Sequence, residues 1–536
     1  MFRKHSVVEE IIHKRSFRVR LFFEGILTGL AAGMIIVLFR YILQESSIWL
    51  AYLYSFLGTH TFWWTLLWIM VLTGIALILY KIVQFEPMIS GSGIPQVKGA
   101  VLRQLDMNWF KVLVGKFVGG ILAIGAGMSL GREGPSIQLG AAVGQGMNRL
   151  FGGLRVEERI LITSGASAGL AAAFNAPLAG VIFSLEELHK NFSPPILLSA
   201  MAASLTADYV SRNYFGIRPI FDFHTLPVLP MKYFALLLLL GLITGLFGVF
   251  YNWSLIKSLQ IYEQQKLIPK RFVMLVPLLL TIPVGFWMPQ ALGGGHELIA
   301  GIQYNHYALM ILIMLLIVKF GITMACYGSG APGGIFLPLL VIGALAGGVF
   351  SQTIINFGYI DPDFGNNFVV FAMAAYFTAI VKAPITGCIL VTEMTGSFEH
   401  LPALITVSMT AYIVADLLKS KPIYDQLLDR ALARGKHESR DANSGANTVL
   451  EAVVCMGSQL EGKMIRDITW PRHCLLINIK RGEEQIIPRG DTKIAAGDYL
   501  NILTNEKQAG RLKPTLLQMA GHKQTDPANH QQSSDI

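Results

Sequence analysis

The sequence predicts an all-α polytopic membrane protein followed by a small α/β domain. Three observations carry that prediction. Apolar runs of spanning length recur from residue 21 to residue 417, charged residues make up only 14% of the 536-residue chain, and the composition turns polar near residue 434. Soluble domains carry roughly 25% charged residues. The runs are Leu21–Leu43, Thr61–Ile82, Val112–Leu130, Ile160–Leu185, Tyr233–Phe250, Phe272–Trp287, Ala308–Val318, Ile335–Ile354, Phe368–Ile380 and Leu404–Leu417. Several reach the roughly 20 residues that a bilayer-crossing helix requires. Others are shorter and broken by Gly or Pro. A large soluble helical core is excluded because so many runs lack a polar face.

In chain order, residues 1–20 form a basic leader with Arg3, Lys4, Lys14, Arg15, Arg18 and Arg20. Positive charge before a first span argues for a cytoplasmic start. Glu9 and Glu10 speak against an organellar transit peptide. Residues 21–433 hold the apolar runs, and 434–447 read as a polar linker. Residues 448–510 look like a compact soluble unit, with "CLLINIKR" and "DYLNIL" as strands and "RGEEQ" and "AAGD" as turns. Residues 511–536 read as a disordered tail. The net charge of +9 suits an anionic membrane surface rather than nucleic acid. Cys326, Cys388, Cys455 and Cys474 have no metal-ligand spacing, so neither a zinc site nor a disulfide framework is implied.

The apolar part contains internal matches. "GSGIP" at 91–95 resembles "GSGAP" at 328–332, and "APLAGVIFSLE" at 176–186 resembles "APITGCILVTE" at 383–393. Pro135, Gly140 and Gly144 correspond to Pro338, Gly343 and Gly347. Ordered matches predict a duplication, with halves of roughly 21–215 and 231–433. Duplicated halves with interrupted hydrophobic segments point to a transporter whose site lies between them.

The chemistry follows from the glycine-rich motifs. Gly and Pro break helices inside the membrane and leave backbone N–H groups that hydrocarbon cannot satisfy. Helix N-termini carry such donors and partial positive charge, so an anion is their natural partner. Pro95, Pro135 and Pro332 are expected in first turns, where a missing N–H costs nothing. No Lys or Arg occurs from Gly321 to Ile360, so the attraction comes from dipoles, which suits an ion that must also leave. Within Phe117–Asn148 only Arg132 and Glu133 are charged. A carboxylate inside an anion site can occupy it, then vacate it when protonated. A purely structural Arg132–Glu133 bridge is disfavoured, because adjacent helical residues face different directions. Glu186 and Glu187 end an apolar run, and spacing alone leaves open which is a solvent-facing helix end and which a proton-relay acid. No metal-ligand cluster is evident around them.

"GSGIP", "GREGP", "GGIFLP" and "KPIY", in that order, resemble the CLC chloride channel and transporter family over residues 20–433. The resemblance implies inverted repeats of tilted and half-spanning helices. It also implies a homodimer embedded in membrane lipid and a multi-pass location in a bacterial inner membrane, with both termini cytoplasmic. It assigns Ser92 and Tyr424 to side-chain coordination of chloride and the amides of Ile335 and Phe336 to the same ion. Glu133 becomes the external gate, Glu187 the internal proton-transfer glutamate, and Glu186 a residue lining its water access. Lys116 matches a basic position found in many members. An acid at 187 implies proton-coupled exchange; the alternative is a passive chloride channel. Chloride is then the transported ligand and no cofactor is implied.

The last unit resembles the TrkA-C (RCK-C) module, through Leu460, Gly462, Lys463, the strand "CLLINIKRG", Pro488 and "GD" at 497–498. That resemblance implies a small regulatory ligand. It also raises a third reading, a potassium transporter subunit, but no TVGYG-type filter is present. No nucleophile elbow or phosphate loop suggests an enzyme.

Overall fold

The computed structural model describes residues 7–521, apart from 60–61, 154, 191–192, 218, 220, 222–225, 305–306, 439–446 and 483. The chain forms two compact units, Met1–Arg434 and Gly435–Ile536.

The first unit is helical. Its helices are α1 (Val7–Thr59), α2 (Phe62–Phe85), α3 (Ile94–Val101), α4 (Trp109–Gly125), α5 (Glu133–Leu150), α6 (Arg155–Phe174), α7 (Pro177–Phe183) and α8 (Pro194–Phe215). After them come α9 (Phe234–Gln264), α10 (Leu275–Trp287), α11 (His296–Tyr304), α12 (Leu309–Gly328), α13 (Phe336–Asn356), α14 (Gly365–Val381), α15 (Pro384–Thr395), α16 (Leu401–Leu417) and α17 (Ile423–Glu438). Among the described residues seven helices are long and apolar enough to cross a membrane. Residues 7–20 of the basic leader are not a separate segment, because α1 runs unbroken from Val7 to Thr59, and residues 1–6 lie outside the described residues. At 1.5 Å per residue that is about 80 Å, well beyond a ~30 Å hydrocarbon core.

The packing pattern of α1–α8 recurs in α9–α16. Helix α1 packs on α8 as α9 does on α16, α5 on α6 as α13 on α14, and α6 on α8 as α14 on α16. Missing side chains permit the closest of these contacts. A Cβ on Gly140 would lie 2.1 Å from the Gly165 carbonyl oxygen, and one on Gly165 would lie 2.0 Å from that of Gly140. Gly347 approaches the Phe368 carbonyl in the same way across α13 and α14.

The correspondence corrects one match read from sequence. "GSGIP" and "GSGAP" are not equivalent: the first leads into α3 and supplies its first two residues, whereas the second begins at the C-terminal residue of α12. The partner of Gly91–Gly93 is Gly293–Gly295. Lys116, on α4, donates to the carbonyls of Ile89 (2.8 Å) and Gly91 (2.5 Å). Lys319, on α12, donates to those of Ala291 (2.9 Å) and Gly293 (2.8 Å). Both lysines are fully buried. Each satisfies carbonyls that a broken helix leaves open. Pro332 likewise is not in a first turn. It lies in the loop before α13 and packs against Gly119, while Pro338 takes the place in α13 that Pro135 has in α5.

The second unit is a four-stranded antiparallel sheet, order β1–β4–β2–β3, with β1 Asn447–Val453, β2 Cys474–Arg481, β3 Glu484–Ile486 and β4 Tyr499–Asn505. A helix, α18 (Glu506–Ala520), completes it. Two sequence boundaries move. Helix α17 reaches Glu438, inside the stretch read as linker. Residues 511–520, read as disordered, are helical because Leu512, Leu516 and Ala520 recur at helical spacing and are buried with Ile479, Leu500 and Ile502. Residues 522–536, the rest of that tail, lie outside the described residues.

Candidate functional site: helix N-termini around two buried carboxylates

Three helices of the first unit begin close together without a side-chain cap. They are α3 after Gly93, α5 after Arg132 and α13 after Ile335. Their first amides have no intrahelical acceptor. Two mutual hydrogen bonds lock the motifs together, Gly131 N–H to Gly334 O (2.6 Å) and Gly334 N–H to Gly131 O (2.7 Å). Gly333 N–H also donates to Gly91 O (3.0 Å). The third strand of this knot is Ser92: a Cβ on Gly134 would lie 2.5 Å from Ser92 Oγ and 3.2 Å from Gly334 Cα. Glycine at 134 and 334 therefore lets the starts of α5 and α13 close on the Ser92 loop.

Ser92, Glu133, Ile335, Phe336 and Tyr424 are all at most 1% exposed. Among the described residues, Ser92 Oγ and Tyr424 Oη have no hydrogen-bond partner, and the Glu133 carboxylate has no side-chain partner and meets only backbone amides, its own and that of Leu337. Buried polar groups are nearly always satisfied, so such a concentration marks a place built for something other than static packing. Tyr424, on α17, lies within electrostatic reach of both Glu133 and Glu187. The Phe336 ring is fixed by Phe174, Phe183 and Phe377, with centroids 5.4, 6.0 and 4.9 Å away.

The Arg132–Glu133 pair departs from expectation. Arg132 Nε lies 3.8 Å from Glu133 Oε1, close enough for an ion pair but not a hydrogen bond. The helical spacing argument fails because Arg132 precedes α5 as its N-cap rather than lying within it.

Glu186 and Glu187 stand on a π-helical turn, Ser184–His189, a distortion common at functional positions. Their environments differ. Glu187 is 2% exposed, and Lys98 Nζ donates to its Oε1 at 2.6 Å. Glu186 points elsewhere and accepts from the amides of Ile385 (3.3 Å) and Thr386 (2.8 Å) and from Thr386 Oγ1 (2.7 Å). It thus caps the N-terminus of α15. Glu393 reciprocates by accepting from Leu178 N–H (3.1 Å) and Ala179 N–H (2.7 Å) at the start of α7. The protein places carboxylates on α7 and α15 and leaves α3, α5 and α13 without one, save Glu133 at the start of α5.

Sequence reasoning missed Lys98, Asp425 and Lys190. Lys98 also donates to Asp425 Oδ1, and Lys190 donates to Asp425 Oδ2 at 2.7 Å. The available signals were a lone lysine inside the short apolar "IPQVKGAV" and an aspartate directly after "KPIY". Two cavities adjoin the site. One of ≈450 Å³ is lined by Lys98, Lys190, Lys421 and Asp425; another of ≈730 Å³ is lined by Arg40, Arg132, His296 and Leu337.

Helix N-termini converging on buried hydroxyls and carboxylates, within a bundle whose two halves repeat one packing pattern, define a membrane transport protein for anions. The chain belongs to the voltage gated chloride channel family, whose model matches residues 74–416, and a TrkA-C domain model matches residues 449–517. It is 34% identical over 455 residues to the H(+)/Cl(-) exchange transporter ClcA of Vibrio cholerae, covering 81% of this chain and 95% of that protein. ClcA of Klebsiella pneumoniae is 32% identical over 448 residues, with coverage of 81% and 94%. Among solved structures, a slow cyanobacterial Cl-/H+ antiporter matches with a TM-score of 0.74 and 30% identity, over 78% of this chain and 99% of that one.

Proposed function

We propose that this protein exchanges chloride for protons across a bacterial inner membrane, as a homodimer with both termini in the cytoplasm. Glu133 is the external gate and Glu187 the internal proton-transfer acid. Ser92, Tyr424 and the amides of Ile335 and Phe336 bind the anion, and the TrkA-C unit takes a small regulatory ligand. The observation that carries the reading is the buried Glu133 carboxylate, set against the amide of Leu337 at the uncapped start of α13, in the turn whose Gly134 packs on Ser92. An ionised Glu133 competes with chloride for the same donors; a protonated one surrenders them. A second buried acid near Tyr424 gives the proton its own branch, which a passive channel does not need. The exchanger and antiporter names of the relatives support this choice.

The test is flux in liposomes under a chloride gradient. The wild type is expected to drive protons against their own gradient. Glu133→Ala is expected to pass chloride with no coupled proton movement. Proton pumping by that variant, or chloride flux in the wild type without protons, would overturn the assignment.

A further inference from the structure

Glu187 does not line the ≈450 Å³ cavity beneath it; Lys98 and Asp425 do. The acid expected to open its water access, Glu186, is bonded to the α15 N-terminus instead. The connection between Glu187 and the cavity therefore runs through one ammonium. Lys98, 2% exposed, donates to Glu187 on one side and to Asp425 on the other. Asp425 is anchored in turn by Lys190. It is also the residue directly after Tyr424 in α17, so a movement of that turn shifts the tyrosine and the carboxylate together.

We propose that Lys98 is a positioning residue that sets the proton occupancy of Glu187, and that Asp425, by sharing Lys98, sets how firmly it does so. This rests on the exchanger reading above. A cation at hydrogen-bond distance favours the ionised carboxylate. Asp425 draws on the same cation and adds a nearby negative charge, which favours the protonated form. The two residues thus act on Glu187 in opposite directions. The other charged groups around the turn are Glu186 and His189 on the turn itself and Arg159 of α6 near His189. Lys190, Lys421 and Asp429 stand at the cavity, with Tyr424 behind them. All of these stay constant in the variants that follow.

The experiment reconstitutes the full chain in liposomes and records proton and chloride flux together against pH. Lys98→Met is expected to move the midpoint of coupled proton flux to higher pH by about one unit or more. Asp425→Asn is expected to move it to lower pH, and Lys98→Arg to restore a midpoint near that of the wild type. In the double variant Lys98→Met/Asp425→Asn, the Asp425→Asn shift should shrink, because the shared cation is gone. Shifts of both single variants in the same direction, or midpoints unmoved while chloride flux persists, overturn the proposal. Should Lys98→Met fail to fold, Asp425→Asn and Lys98→Arg still decide it, since the Asp425 side chain is 30% exposed and tolerant of change. Retained coupled proton flux in Glu187→Gln would remove Glu187 as the proton acid, and this inference with it, while chloride flux without protons in the wild type would overturn the exchanger reading itself.

Discussion

Gly134 shows how little room the site has. Its missing Cβ is occupied by Ser92 Oγ, by the Ser92 carbonyl 2.7 Å away and by Gly334 Cα. Two of those three neighbours are backbone and cannot rotate aside. Gly134→Ala is therefore expected to force the Ser92 loop away from α5, costing about 1–3 kcal/mol of stability. Under the proposed assignment the anion donors move with that loop, so chloride flux should fall by more than that loss of folded protein explains. Unchanged flux per folded protein would remove Ser92 from the proposed site. At the same scale in the second unit, Asp498 is fully buried and accepts Arg481 as a fork (Nε 2.7 Å, Nη2 2.8 Å) together with Ala495 N–H (2.8 Å). Burial alone would raise its carboxyl, but these bonds outweigh burial and hold it below the usual carboxylate range. A depressed folded value means stability that is fully present above an unfolded pKa of about 3.9 and is lost as pH falls through the lower, folded one. Asp498→Asn should weaken the unit by about 1–3 kcal/mol at neutral pH and flatten its acid-side loss. Hydrogen exchange of the β4 amides, followed against pH, checks both.

Among elements, the two half-length helices α7 and α15 hold each other. Each begins with proline, lacks a cap of its own and receives one from the acid at the far end of the other segment. The sequence match of 176–186 with 383–393 thus becomes a reciprocal pair of bonds. Glu393→Gln removes a charge that favours the α7 N-terminus and is expected to cost about 1 kcal/mol. Glu186→Gln should cost a similar amount through α15. Their double variant should be close to additive in stability, because the two caps share no bond. Both should leave the pH midpoint of proton flux in place, measured as for Lys98. A midpoint shift in Glu186→Gln would return that residue to the proton path. The sequence offers Gly140 and Gly144 only as repeat matches; that Gly140 faces Gly165 across α5 and α6 is decided by packing.

For the whole molecule, the division at Arg434 and Gly435 separates a helical unit from one with its own sheet and core. Ending the chain at residue 446 is expected to leave a folded protein that still moves chloride and protons, while the pH-sensitive exchange protection of the sheet disappears with the sheet. Loss of transport would show that the second unit belongs to the working core.

Much of this architecture was legible beforehand. Long apolar runs with few charges have one stable environment, a bilayer, and alternating strands bounded by turns have few alternatives. The breaks at "GSGIP", "GREGP" and "GGIFLP" announced uncapped helix ends, because Gly and Pro act on the local backbone whatever surrounds it. What the tertiary structure decided is which distant groups meet those ends. Local pattern carried the amphipathic spacing of α18, yet its polar surroundings hid it until Leu512 and Leu516 found a sheet to cover. Glu186 and Glu187 are neighbours with opposite fates, one on the α15 amides and one on Lys98, and no property of "SLEEL" distinguishes them. Lys98 and Asp425 lie 327 residues apart, and the lysine bridges Asp425 and Glu187 only because α3, α17 and the π-helical turn converge. Sequence alone determines where backbone donors and buried charges must be satisfied; packing determines by whom, because a charge's partner is chosen by distance in space and not along the chain.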